Sequence, residues 1–186
     1  MNNIKALSYF TLLVVLVSAS GLFAEDDNHF GKMGIGMDLN YYPGETESEY
    51  YFGLFTRLRF NETIGLEAEI QFRSKMTDLT NLEIGSQPLS FSLLYFLLPK
   101  SIIGLYVFGG VTFTKPVLQS SGEPGPSETE GEWQKSLHGG FGLEIPVSPN
   151  FVLHGALRYN DLTFTITGME VDYSGFAYSG GITFYF

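Results

Sequence analysis

The sequence has no cysteine, one tryptophan and few charges: Lys, Arg, Asp and Glu make up 16% of its 186 residues, the same share as the aromatics. Without a thiol there is no disulfide framework, no thiolate metal site and no lipidated cysteine anchor. Positive charge is the scarcer sign, with 10 Lys and Arg against 20 Asp and Glu, a formal net charge of −10. Nucleic acid is bound by basic surfaces, so it is not an expected partner. Long apolar runs are also missing. The one candidate, residues 6–17 interrupted by Ser8 and Thr11, is shorter than the roughly 20 residues of a spanning helix. Lys5 before it and Ser18, Ala19 and Ser20 after it make residues 1–24 a secretory signal, cleaved after Ser20 or Ala24. An uncleaved anchor is the competing reading. One domain is expected over residues 25–186.

What the chain does have is alternation with period two, the mark of β-strands with two different faces. From 32 to 41, Met33, Ile35, Met37, Leu39 and Tyr41 alternate with Lys32, Gly34, Gly36, Asp38 and Asn40. From 51 to 60, Phe52, Leu54, Thr56, Leu58 and Phe60 oppose Tyr51, Gly53, Phe55, Arg57 and Arg59. From 64 to 73, Ile64, Leu66, Ala68, Ile70 and Phe72 oppose Gly65, Glu67, Glu69, Gln71 and Arg73. The same pattern recurs at 89–98, 103–113, 137–145, 151–160 and 175–186, giving eight strands. Each is close to the roughly 9–11 residues with which a tilted strand crosses a bilayer. Tight turns rich in Asn, Pro and Ser (61–63, 99–101 and 146–150) alternate with long links at 42–49, 74–88, 114–134 and 161–174. Short turns on one rim and long loops on the other describe an all-β, eight-stranded antiparallel up-and-down transmembrane barrel with short periplasmic turns and longer extracellular loops. The stretch 120–131, rich in Ser, Gly, Pro and Glu, reads as a flexible loop tip.

A lipocalin-like soluble barrel also alternates, with its apolar face inward. Three features favour the membrane barrel. The polar face carries many glycines (Gly34, Gly36, Gly53, Gly65, Gly104, Gly110, Gly140, Gly142, Gly175, Gly181), which suit a narrow interior better than a wet exterior. Its charges nearly balance, Lys32, Arg57, Arg59, Arg73 and Arg158 against Asp38, Glu67, Glu69 and Glu144. Such a set forms a lumen network in which buried charges are paired. Aromatics gather at strand ends (Tyr41, Phe60, Phe72, Tyr95, Phe113, Phe151, Tyr159, Phe186), as in interfacial girdles. On these features, together with the run 89–98 followed by Leu105-Tyr106-Val107-Phe108-Gly109-Gly110-Val111 and the ending Gly180-Gly181-Ile182-Thr183-Phe184-Tyr185-Phe186, the chain resembles the eight-stranded outer-membrane barrels of the OmpA transmembrane domain, OmpX and OmpW. The resemblance covers about residues 30–186. It implies an outer-membrane location in a Gram-negative-type, diderm bacterium and outer-membrane lipids as surroundings. It also implies that the last strand, with Ile182, Phe184 and Phe186 on one face, is the insertion signal read by the barrel-assembly machinery. No peptidoglycan-binding domain follows, so that role of the OmpA type is not carried over.

Three functions compete. The first is a structural, non-enzymatic barrel whose loops bear interactions. Those loops hold Glu45, Glu47, Glu49, Asp78, Glu83, Glu123, Glu128, Glu130, Glu132, Asp161, Glu170 and Asp172 against only Lys75, Lys115 and Lys135. The plain reading is a solvated face repelled from other acidic surfaces; the sharper one is a face for divalent cations or a basic extracellular or host ligand. The second is an OmpW-like narrow channel for small hydrophobic molecules, with an apolar pocket at the outer rim drawn from Phe55, Leu94, Phe96, Tyr106 and Phe108. The third is a lipid-modifying enzyme. His138 and His154 fall on the lumen face of adjacent strands, and a constellation can be drawn with Ser136 or Ser179 and Glu144. No motif specifies a nucleophile and no spacing a metal site, so the histidines read as lumen packing. No catalytic residue, metal site or cofactor is assigned.

Overall fold

The computed structural model describes residues 32–43, 48–72, 78–79, 82–99, 101–120, 127–130, 132–166, 169–172 and 174–186. The expected signal segment 1–24 and Arg73 lie outside these residues. Eight long strands form one closed antiparallel barrel in the order β1-β14-β11-β10-β7-β6-β3-β2. They are β1 (Met33–Pro43), β2 (Ser48–Arg59), β3 (Ile64–Phe72), β6 (Leu89–Phe96), β7 (Gly104–Thr114), β10 (Gln134–Pro146), β11 (Phe151–Asp161) and β14 (Gly175–Tyr185). All eight match strands expected from the alternation. An 11-residue strand such as β7 tilted by about 40° rises roughly 25 Å, the height of the apolar band of an outer-membrane barrel.

The side-chain alternation is also as expected. On β6 the residues Ser90, Ser92, Leu94 and Phe96 are buried, while Phe91, Leu93 and Tyr95 between them are exposed. The apolar face therefore looks outward, which water would penalise and lipid does not. Closure rests on β1 pairing β14 from Gly34↔Tyr185 to Tyr41↔Tyr178. The Phe186 amide donates to the Met33 carbonyl at 3.0 Å. Short turns on the lower rim are locked by their own side chains. Asn61 Oδ1 accepts from the Thr63 and Ile64 amides at 2.8 Å each, an Asx turn. Asn150 Nδ2 donates to the Tyr185 carbonyl at 2.7 Å, tying that turn to the last strand.

Among the described residues six further strands lie in the long links, which the sequence pattern left without regular structure. They are β4 (Asp78–Leu79), β5 (Leu82–Ser86), β8 (Pro116–Ser120), β9 (Ser127–Glu130), β12 (Thr163–Ile166) and β13 (Met169–Asp172). β4, β5, β8 and β9 form one sheet in that order, and β12 and β13 form a hairpin. The expected loop tip at 120–131 is corrected in part, because its segment β9 pairs with β8 from Val117↔Glu130 to Ser120↔Ser127.

The barrel lumen as candidate functional site

Inward residues of β1, β2, β3, β10 and β11 carry the charges, and the register decides which of them meet. Arg57 lies opposite Glu67 across the β2–β3 pair and donates to it from Nε at 2.8 Å. Its Nη1 also reaches across the barrel to Glu144 Oε1. Arg59 approaches the second oxygen of Glu144, with Nη1–Oε2 at 3.4 Å. Higher in the lumen Arg158 pairs with Glu69 at 2.7 Å, and Glu69 also accepts from Gln71 at 2.7 Å. Asp38 takes the Asn40 amide at 2.8 Å. Lys32 sits half-buried at the lower mouth, and among the described residues its ammonium joins none of these pairs. With Arg57 only 2% exposed, loss of any partner would strand a charge in a dry interior.

The rings expected to frame an apolar pocket belong to this same network. Arg59 stacks over Phe96 at 3.8 Å, Arg57 lies 5.2 Å from the centroids of both Phe55 and Tyr106, and Arg158 is 5.6 Å from Phe108. Leu94, Phe96 and Tyr106 form one buried cluster, with Phe108 packed against it. Phe96 lies at the lower, short-turn end of β6, so the set does not surround an opening at the outer rim. The arginine heads occupy the space beside the rings, and each ring face offers its quadrupole to a cation. The sequence listed both sets but gave no sign that they are one. That signal lies in cross-strand register, where Phe55 opposes Gly36, Phe108 opposes Gly140, and Tyr106 opposes Gly142. A Cβ at Gly36 would overlap the Phe55 ring and one at Gly142 the Tyr106 ring. The lumen glycines are thus the floors on which the large side chains lie.

The histidines are held apart in separate polar contacts. His138 is bracketed by Ser92 Oγ at 2.8 Å from Nε2 and Thr112 Oγ1 at 2.9 Å from Nδ1. His154 meets Thr183 at 3.3 Å and stands edge-on to Phe55. Ser136 instead donates to the Thr112 carbonyl at 3.5 Å, and both Glu144 oxygens are engaged by arginines. The drawn Ser–His–Glu constellation is therefore not assembled. No three-residue metal-ligating cluster occurs among the described residues. One cavity among the described residues is at the upper end, lined by Gln71, Ser90, Thr112, Thr114 and Ser136 together with Pro88 and Leu162. At about 10 Å³ it is on the scale of a single water.

The sequence profile of the outer membrane protein beta-barrel domain matches residues 10–184. No curated protein matches the sequence. Among solved structures, Neisserial surface protein A is similar with a TM-score of 0.64 at 15% identity, covering 83% of this chain and 96% of its own. The outer membrane protein OprG from Pseudomonas aeruginosa gives 0.62 at 15%, covering 87% and 99%. The N-terminal beta-barrel domain of Pseudomonas aeruginosa OprF gives 0.58 at 12%, covering 83% and 97%. These likenesses are likenesses of fold.

Proposed function

We propose that this chain, which belongs to the family of the outer membrane protein beta-barrel domain, is a non-conducting scaffold of the outer membrane that presents its acidic upper loops to the outside. Its location in a Gram-negative-type outer membrane follows from the family and from the outer-membrane barrels that share its fold. The observation that carries the scaffold reading is the plug of salt bridges crossing the lumen, Arg57 to Glu67 and Glu144 and Arg158 to Glu69, with rings packed over each guanidinium. Eight strands leave an interior just wide enough for side chains, and here the side chains fill it. The narrow-channel alternative needs a vacant apolar chamber, and the rings that would line one cover arginines instead. A lipid-modifying activity would need a nucleophile open to lipid, whereas both histidines point inward.

Delivery to the membrane falls to the last strand, with Phe186 and Phe184 stacked 6.1 Å apart as the face offered to the barrel-assembly machinery. The loops, with most of the chain's acids, suit a basic partner or divalent cations. Swelling of proteoliposomes in small sugars tests the scaffold reading. Rates equal to protein-free vesicles are expected, and porin-like swelling would overturn it.

A further inference from the structure

Alternation continues above the barrel, but its sense reverses. In the upper half of β6 the inward residues are Ser90 and Ser92, and the same parity runs down the sequence through Pro88 to Ser86. Both Pro88 and Ser86 are buried, and Gln87 between them is exposed. The face of β5 that holds Ser86 also holds Leu82 and Ile84. Register carries that face across the sheet, pairing Leu82 with Leu79, Ile84 with Leu118 and Ser86 with Pro116. The opposite face takes Asp78, Glu83, Gln119 and Glu128, which fall in one cross-strand row. The four-stranded sheet is thus apolar on the side that continues the lumen wall and acidic on the other.

The hairpin β12–β13 repeats the reversal further round the mouth. Leu162, just below it, is 5% exposed, whereas Thr163 is exposed. Phe164 and Ile166 therefore share the inner face with Leu162, and Thr163 and Thr165 take the outer one. Across the hairpin Phe164 pairs with Val171 and Ile166 with Met169, while Thr163 pairs with Asp172 and Thr165 with Glu170. One face is wholly apolar and the other wholly polar. A two-stranded hairpin this short is not stable alone in water, and an apolar face above the membrane needs cover. The cover is indicated at its foot. Pro88, which leads from β5 into β6, and Leu162, which leads from β11 into β12, line the same cavity of about 10 Å³. β6 and β11 stand three strands apart around the barrel. The two sheets therefore rise on either side of a gap on the scale of a single water.

We propose that the apolar faces of the four-stranded sheet and of the β12–β13 hairpin pack on each other as an extracellular lid, whose hydrophobic core seals the upper mouth of the lumen. Two sheets packed face to face bury such residues between them and leave their outer faces to water. The lid is the barrel turned inside out, apolar within and acidic without, as the change of surroundings from lipid to water requires. The inference deepens the scaffold reading by adding a second closure above the salt-bridge plug, and it rests on that reading for which rim faces outside. A conducting lumen would sink that reading without touching the contact between the two faces.

The chain has no cysteine, so introduced thiols report on the lid alone. With the full chain in nanodiscs, Ile84→Cys with Phe164→Cys, or Leu118→Cys with Phe164→Cys, is expected to form a disulfide under copper-phenanthroline at least tenfold faster than the outer-face pair Gln119→Cys with Thr165→Cys. Heat-modifiability on gels shows that each reduced variant is folded. Single cysteines carry the test where a pair does not fold. Ile84→Cys and Phe164→Cys should label with a membrane-impermeant maleimide at least tenfold more slowly than Thr165→Cys. Inner and outer pairs that cross-link at one rate, or single cysteines that label at one rate, would overturn the proposal. So would saturable binding of the apolar dye Nile red that is lost in Phe164→Asp, because the faces would then hold a guest instead of each other.

Discussion

Arg57 touches two carboxylates and two rings, so the consequence of a substitution depends on which partner goes. Glu144 serves Arg57 and Arg59 together. Glu144→Ala therefore leaves two buried guanidinium groups short of charge and should destabilise the barrel by roughly 3–5 kcal/mol. Urea unfolding in detergent micelles measures it; unchanged stability would show that water reaches the lumen freely. Arg158→Ala strands Glu69 alone and should cost less, about 3 kcal/mol. The lumen membership of these residues was legible in their parity along each strand. The specific pairs were not, because parity says which face a side chain takes and nothing about the distance across the barrel. The competing pocket of Phe55, Leu94, Phe96, Tyr106 and Phe108 can be drawn from the sequence for the same reason, since stacking on arginine is invisible until two strands are brought into register.

At the scale of the strand, glycine divides into two kinds that composition cannot separate. A Cβ at Gly140 would overlap the Leu157 carbonyl of the next strand, and one at Gly110 the Phe91 carbonyl. The backbone there has no give. Gly155, facing outward, would place its Cβ at an ordinary 3.6 Å from the Ser179 carbonyl. Refolding assays should therefore show Gly140→Ala losing on the order of 3 kcal/mol or failing to form the compact gel species, while Gly155→Ala stays within about 0.5 kcal/mol. Equal tolerance of both would refute the close-approach argument. The last strand makes its own prediction. Removing Phe186 deletes the amide that bonds Met33 and the terminal ring, and should slow assembly in cells more than refolding in micelles. Pulse-chase protease protection against micelle refolding separates the two. The eight barrel strands were readable because each alternates over most of its length. The loop strands were not: Asp78–Leu79 and Leu82–Ser86 are short, and β5 finds its partner in β8, on a different loop, from Leu82↔Ser120 to Ser86↔Pro116. No local pattern announces a pairing that distant.

Viewed whole, the molecule separates three chemistries by height and by face. Opposite charges pair inside, apolar side chains face outward, and most of the acid falls in the long links, which the proposed function sets above the membrane. The formal charge of −10 is thus chiefly a property of the loops, with the lumen close to balance. Removing the loop acids should alter capture of basic ligands and leave the melting of the barrel unchanged. What the whole molecule does follows from whether its interior is open. Planar-bilayer recording of the purified wild-type chain tests that most directly. A plugged lumen predicts no stable single-channel steps above the bare bilayer. Reproducible open-channel steps from the wild-type protein would contradict the account.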